Sequence, residues 1–315
     1  MNLRCLISLL SLTLLVNCQK KETKKQVKTP KEPFFVVLGV AQDAGYPQIA
    51  CEKTCCEKTR KDTESERMVS CIGLVDPISN ESWIFDATPD FTEQTELLST
   101  YTPNKTVPDG VFLTHGHIGH YTGIMYLGRE AMSANKTPVY AMPRMLDYLT
   151  NNGPWGQLVT NKNIELKPLT KDSLQVLNER ISVIPLEVPH RDEYTETVGF
   201  EVHYKEKKAL FIPDIDKWEK WERSITDYIK KVDIAFLDAT FFKNGEINRD
   251  MSEVPHPFVE ESMKLFSQLS IKDKNKVHFI HFNHTNPLLD ESSEAFKTVL
   301  ENNFKVAVEK SVVSF

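Results

Sequence analysis

An α/β fold is predicted by three observations on this 315-residue chain. Short apolar or β-branched runs bounded by turn residues recur along it, as strands do. Between them lie segments whose apolar residues return at three- and four-residue spacing, as on amphipathic helices. No low-complexity break and no short-period repeat interrupts the alternation after residue 34. With 40% hydrophobic and 26% charged residues the chain can bury a large core, which excludes a disordered chain and a disulfide-stapled miniprotein.

In chain order, strands are expected at Phe34–Val40, Ser70–Val75, Ser82–Asp86 and Val111–Thr114. Others follow at Ile181–Glu187, Val198–Tyr204, Lys208–Ile212, Ile234–Leu237 and Val277–His281. Helices are expected over Ile118–Met132, Asp216–Lys231, Pro257–Leu269 and Leu289–Asn303, where charged faces separate the apolar stripes. Residues 34–315 therefore read as one α/β domain.

Ahead of this domain, Met1–Cys18 opens with the cationic Arg4 and runs through Leu6–Val16, apolar except for Ser8, Ser11 and Thr13. Such a stretch is a signal-peptide core, too short to span a bilayer as a helix, so residues 1–17 are expected to be removed. Leu15-Val16-Asn17-Cys18 resembles the lipobox of bacterial lipoproteins, which implies a lipidated Cys18 and an exported, membrane-anchored protein at the periplasmic face or cell surface. Cleavage elsewhere would instead give a secreted protein. Residues 18–33 carry six lysines against Glu22 and Glu32, with Pro30 and Pro33, and are expected to form a flexible tether. Removing that basic segment leaves the domain more acidic than the net charge of −6, which argues against duplex nucleic acid as a partner and for a small molecule.

The histidines gather at strand ends. Val111-Phe112-Leu113-Thr114 runs into His115-Gly116-His117-Ile118-Gly119-His120, and three imidazoles within six residues on a strand-to-helix turn can face one point. Neutral imidazole is a good ligand for zinc or ferrous iron, so a metal site is expected here. The strand Ile181–Glu187 leads to His190, Lys208–Ile212 leads to Asp214, and Val277–Ile280 delivers His281 and His284, with His278 on the opposite face. Taken singly, His190 is as readily a surface-loop residue and Asp214 a helix N-cap.

The order of strand-end Asp86, the cluster 115–120, His190, Asp214 and His281 resembles the metallo-β-lactamase superfamily over most of residues 34–315. The resemblance implies an αββα four-layer sandwich with one or two metals at the strand ends. Leu38-Gly39-Val40-Ala41, Gly45-Tyr46-Pro47-Gln48, Thr114–Gly123 and Asn283–Pro287 are most similar to the branch containing the pyrroloquinoline quinone biosynthesis protein B. By this resemblance His115, His117 and His190 would hold a first metal. His120, Asp214 and His281 would hold a second, with Asp214 bridging and Asp86 orienting the loops beneath. The superfamily motif His-x-His-x-Asp-His has Gly119 at its Asp position here, so another carboxylate must serve or the second site is weak. Asp43, in the loop after the first strand, is the candidate substitute; a turn-forming role is the alternative.

Cys5 lies in the leader and Cys18 at the expected anchor, leaving Cys51, Cys55, Cys56 and Cys71 in the domain. Export favours disulfides, but adjacent Cys55 and Cys56 pair poorly with each other, and a C-x₃-C-C cluster suits a thiolate zinc site. Similarity to the related phosphoribosyl cyclic phosphodiesterase branch implies Cys51, Cys55, Cys56 and His284 as ligands of a structural zinc, with a Cys51 disulfide as the alternative. Cys71 reads as a buried small hydrophobe.

A metal on three imidazoles keeps an open position and activates water. The expected chemistry is hydrolysis of an ester, lactone or phosphodiester, with Asp214, His120 and Asp43 as catalytic residues and zinc, iron or manganese at the centre. No Gly-x-Ser-x-Gly elbow or Walker-type loop is present, so covalent serine catalysis has no support. Two alternatives stand beside it: an iron-dependent oxygenase, which the resemblance implies and whose cytoplasmic biosynthetic step a membrane-tethered product fits poorly, and a non-catalytic metal-binding lipoprotein. His256, at the entrance to a helix, and Asp238, after another apolar strand, are candidate substrate contacts. Trp155 is a candidate lid, or plain packing, and His203 a structural residue.

Overall fold

The computed structural model describes residues 29–315. The expected signal peptide, the lipidated Cys18 and most of the tether lie outside them. No helix among the described residues is long and apolar enough to cross a membrane.

The first strands are β1 (Phe34–Gly39), β2 (Cys71–Asp76), β3 (Glu81–Phe85), β4 (Gly110–Phe112), β5 (Thr137–Ala141) and β6 (Ile164–Pro168). They are followed by β7 (Gln175–Val176), β8 (Ile181–Glu187), β9 (Val198–Tyr204), β10 (Lys207–Ile212), β11 (Ile234–Asp238), β12 (Val277–Ile280), β13 (Lys305–Val306) and β14 (Val312–Ser314). They form two seven-stranded sheets, ordered β14-β1-β2-β3-β4-β5-β6 and β13-β12-β11-β10-β9-β8-β7.

Strand alternation divides the apolar residues between two cores. Phe35 and Val37 of β1, with Ile72, Leu74, Phe85 and Phe112, point between the sheets and meet Phe200, Phe211 and Phe236 of the second sheet. Phe85 stacks on Phe112 at 4.9 Å, and both meet Phe200 at 5.5 and 5.4 Å between ring centroids. Phe34, Val36, Leu38, Ile84 and Val111 face the other way, against the helices Phe91–Ser99 and Pro143–Asn151. The helices Val259–Leu265 and Glu294–Glu301 cover the second sheet, with Val259, Phe296 and Val299 belonging to the apolar cluster that continues from it. Two sheets, each covered outside by helices, make the predicted four-layer αββα sandwich.

Strand direction places the site. In the first sheet β1 and β3 run the same way, each antiparallel to β2, and β4 is parallel to β3. In the second, β10, β11 and β12 are mutually parallel, and β8 shares their direction because β9 is antiparallel to both β8 and β10. The segments leaving β1, β3, β4, β8, β10, β11 and β12 carry Asp43, Asp86, His115–His120, His190, Asp214, Asp238 and His281. Loops at the carboxyl ends of strands need no lateral pairing, so their side chains are free to converge.

The expected helices are shorter than the periodicity suggests. Ile118–Met132 is a helix only over Ile118–Tyr121, followed by a 3₁₀ segment, Thr122–Leu127. The Gly123 N–H donates to the Ala87 carbonyl, and a Cβ at Gly123 would stand 2.1 Å from the Thr88 carbonyl oxygen, so the chain is pressed onto the β3 loop there. Asp216–Lys231 resolves into the 3₁₀ turn Trp218–Lys220 and the helix Ile225–Lys231, whose N-cap is the Ser224 hydroxyl. Trp155 is no lid: it packs against Tyr121 and Tyr148 at 5.1 and 5.7 Å. His278 lies buried in β12 beside Phe236, away from the site.

Candidate metal centre

Asp214 stands at the middle of the convergence, buried at the end of β10. Its Oδ2 lies 3.3 Å from His115 Nε2, 3.2 Å from His190 Nε2 and 3.8 Å from His120 Nε2. His115, His117, His190 and Asp214 offer donor atoms within 4.8 Å of one another, and so do Asp43, His120 and His281. The ligands expected for two metals are thus brought together as two adjoining groups, with Asp214 between them.

The imidazoles are aimed by acceptors on their far nitrogens. Asp86 Oδ2 accepts from His120 Nδ1 at 2.8 Å, while its Oδ1 accepts from the Thr114 backbone N–H and hydroxyl, both at 2.8 Å. Thr240 Oγ1 meets His281 Nδ1 at 2.9 Å, and Asp216 Oδ1 lies 3.3 Å from His190 Nδ1. For His120 and His281 the hydrogen bond at Nδ1 fixes the ring so that Nε2 faces inward, the arrangement that orients metal-ligating histidines, whereas His190 Nδ1 makes no hydrogen bond among the described residues. Asp86 and His281 adopt left-handed backbone conformations with φ of 72° and 70°, and Asp43 has φ of 23°. Strain of this kind in non-glycine residues persists only where the surroundings enforce it.

A cation fits the cluster. His120 Nε2, His281 Nε2, Asp43 Oδ1 and Asp214 Oδ1 are buried without a hydrogen-bond partner among the described residues. Buried polar atoms are rarely left so, and unpaired ones facing a common point are the donor set of an ion. Burial holds His115 and His281 below the usual imidazole range, in the neutral form a metal requires. Burial also opposes protonation of His190 and His256, but the Asp214 charge, and for His256 first that of Asp238, raise them to about 9 and about 10. Asp214 itself is pushed up by burial and held well below the carboxylate range by His190 and His256.

Asp43 occupies the space left at Gly119. A Cβ on Gly119 would stand 2.5 Å from Asp43 Cα and 2.5 Å from its Oδ1, and that Oδ1 lies 3.4 Å from His120 Nε2. The acid missing from the motif is therefore replaced in space by one from the β1 loop, and the two residues exclude each other. Gly119→Asp alone is expected to destabilise the fold by about 1–3 kcal/mol through overpacking and to lower metal content. Adding Asp43→Gly removes only the side-chain part of the clash, since the residue 43 Cα still stands 2.5 Å from the new Cβ, so it should recover part of the stability; calorimetric unfolding and elemental analysis check this. Full metal content in Asp43→Gly alone would remove Asp43 from the ligand set.

Two sequence expectations change. Asp238 is fully buried, and its oxygens accept from the Ile215 and Thr240 backbone N–H groups, the Thr240 hydroxyl and His256 Nδ1. It orients neighbours from behind the site, and it also shares a donor group with His256 and His281. His256 does lie at the centre, 3.2 Å from Asp214 Oδ1, but without helix N–H groups to share a ligand. Those of Phe258, Val259 and Glu260 already donate to Glu261, Phe241 and Phe242. Thr114, Thr240 and Asp216 escaped sequence reading, although Thr240 and Asp216 each sit two residues after a strand-end aspartate.

The cysteine cluster forms a second centre. Cys51, Cys55, Cys56 and His284 place their donors within 4.8 Å of one another, with His284 Nδ1 3.3 Å from Cys56 Sγ and 3.8 Å from Cys55 Sγ. All four domain cysteines are free thiols, so no Cys51 disulfide forms. The Gln48 N–H donates to Cys56 Sγ at 3.3 Å, which suits a thiolate. Cys71 is buried in β2, as expected.

Residues 83–282 match the family described as the beta-lactamase superfamily domain. The coenzyme PQQ synthesis protein B of Methylococcus capsulatus is 25% identical over 304 residues, covering 86% of this chain and 96% of that protein. That of Klebsiella pneumoniae is 24% identical over 310 residues, covering 87% and 96%. Among solved structures, zinc-bound PqqB from Methylobacterium extorquens superposes with a TM-score of 0.75 at 19% identity, covering 90% of this chain and all of that one. A diphosphatase of the PhnP family gives 0.65 at 20% identity, covering 90% and 97%.

Proposed function

Because this chain belongs to the beta-lactamase superfamily domain family, we propose that it is a metal-dependent enzyme of the PqqB kind, acting on a small molecule beside Asp214. The observation carrying this reading is that relatives named PqqB align over nearly their whole length with a chain whose donor atoms form two adjoining groups. The comparisons support this reading better than the general ester hydrolase expected from the sequence. Oxygen-dependent hydroxylation supported by iron is accordingly the first reading of the reaction.

His115, His117 and His190 would hold one ion, and His120, His281 and Asp43 the other, with Asp214 shared. An ion in such a set supplies Lewis acidity and an exchangeable position for water or oxygen. Asp86 and Thr240 keep the His120 and His281 imidazoles aimed. His256, paired with Asp238 and Asp214, presents a positive edge where a substrate's negative charge would lie. Cys51, Cys55, Cys56 and His284 would hold a structural zinc. The leader, Cys18 and the lysine-rich spacer support a membrane-tethered form of this enzyme.

Hydrolysis is the second reading, favoured by one observation: Asp43 refills the carboxylate position beside His120 that Gly119 had left open. Anaerobic purification followed by elemental analysis separates the two. Iron at the histidine centre with substrate-dependent oxygen uptake is expected on the first reading. Zinc alone, with turnover of ester or phosphodiester panels in the absence of oxygen, would overturn it in favour of the second. Equal metal content in wild type and the His115→Ala/His117→Ala variant would overturn both.

A further inference from the structure

Beside the centre lies a cavity of about 460 Å³ between the loop after β8, the loop following β11 and the segments at Gln42 and Asn283. His256 forms part of its wall, and the His256 ring stands 5.5 Å from that of His190 and 6.1 Å from that of His281, so the cavity abuts the candidate ligands. Two arginines, Arg191 and Arg249, line it, against one acid, Glu253.

These arginines differ from the rest. Among the described residues, Arg129, Arg144, Arg180 and Arg223 pair with carboxylates, and Arg60 and Arg67 donate to backbone carbonyls. Arg191 and Arg249, both exposed to water, make no ion pair or side-chain hydrogen bond within the described residues, the Arg191 charge only helping to hold the nearby Glu193 carboxyl down, and both belong to an acidic protein in which carboxylates outnumber lysines and arginines 44 to 38. Phe241, Ile247 and Val254 supply an apolar side to the same cavity, from a small cluster completed by Met251 and Phe258. Guanidinium forks recognise carboxylate and phosphate by paired hydrogen bonds, and an apolar wall beside them selects anions with an apolar body.

We propose that this cavity is the subsite for the substrate's oxyanion: the substrate is a small carboxylate or phosphate with an apolar portion, its charged group on Arg191 and Arg249 and its reacting bond beside Asp214. This rests on the enzymatic reading above and adds the substrate class to it. A neutral ester forgoes the paired, charge-assisted hydrogen bonds that an oxyanion gains from the two guanidiniums, so substrates lacking the anion should be poorer. Recognition here requires no base-specific or protein contact, in keeping with a cavity of small-molecule size.

The test is calorimetric titration of the full, metal-loaded chain in detergent with phenyl phosphate, benzoate and neutral benzyl alcohol. The stronger of the two anions identifies which oxyanion the site prefers. Binding of an anion, at least about tenfold weaker in the Arg191→Gln/Arg249→Gln variant at unchanged metal content and melting temperature, is the expected result. Equal affinity in the variant, or benzyl alcohol binding as tightly as the anions, would overturn the subsite. The titration needs no turnover. Arginine-dependent binding without either reaction would therefore overturn only the enzymatic reading, whereas turnover with arginine-independent binding would overturn only the subsite.

Discussion

Asp214→Asn is expected to lower catalytic efficiency by about a thousandfold or more and to strip metal from the histidine centre. The magnitude follows from several kcal/mol of charge stabilisation that a correctly held ion contributes, each 1.4 kcal/mol being about tenfold in rate. Among the described residues Asp214 is the only carboxylate within 4 Å of His115, and it also approaches His120, His190 and His256. Asparagine keeps the shape and one acceptor oxygen but removes the charge around which both donor groups are arranged. In the metal-free protein the change also leaves His190 and His256 without their shared anion, so both should lose protons more readily. Elemental analysis with steady-state kinetics on the substrate identified for the wild type checks this; unchanged metal content would mean that Asp214 does not bridge the two groups.

The second large effect concerns stability. Cys55→Ser/Cys56→Ser is expected to abolish zinc binding at the proposed structural site and lower the melting temperature by about 10 °C, equivalent to a few kcal/mol in a domain of this size. Metal binding to cysteines that only the fold brings together is part of the folding free energy. The loss should spread to the catalytic centre. Cys51 lies eight residues after Asp43, and His284 three residues after His281, so the cluster ties together the two segments that carry these ligands. Tyr46 reinforces the tie by donating to the Cys55 carbonyl at 2.7 Å. Elemental analysis should find more than the single zinc missing; loss of one zinc with an intact histidine centre would confine the cluster to a local role.

The strands that bear the site were legible because they are buried on both faces and read as apolar runs ending in His or Asp. The edge strand β6, Ile164–Pro168, was not, because alternating Glu165 and Lys167 and a terminal proline break that signal, as edge strands often do. The helix Thr54–Lys61, which carries Cys55 and Cys56, also has no apolar stripe to mark it. Helix lengths were overread wherever a tertiary contact ended the helix before its periodicity did, as at Gly123.

The sequence by itself determined the fold family and the donor types that gather at strand ends. Three histidines in six residues after a buried strand, further strand-end acids and imidazoles, and a C-x₃-C-C cluster are local patterns, and they depend only on residue type and spacing. Tertiary structure decided which of these donors meet. Asp43 and Gly119 are 76 positions apart in the numbering, and only the packing of the β1 loop onto the His117–His120 turn lets one supply the carboxylate that the other lacks. Asp238 passed from candidate substrate contact to buried orienting residue for the same reason. The role of a carboxylate is set by what fills the few ångströms around it, and those neighbours come from strands that the chain visits far apart in sequence.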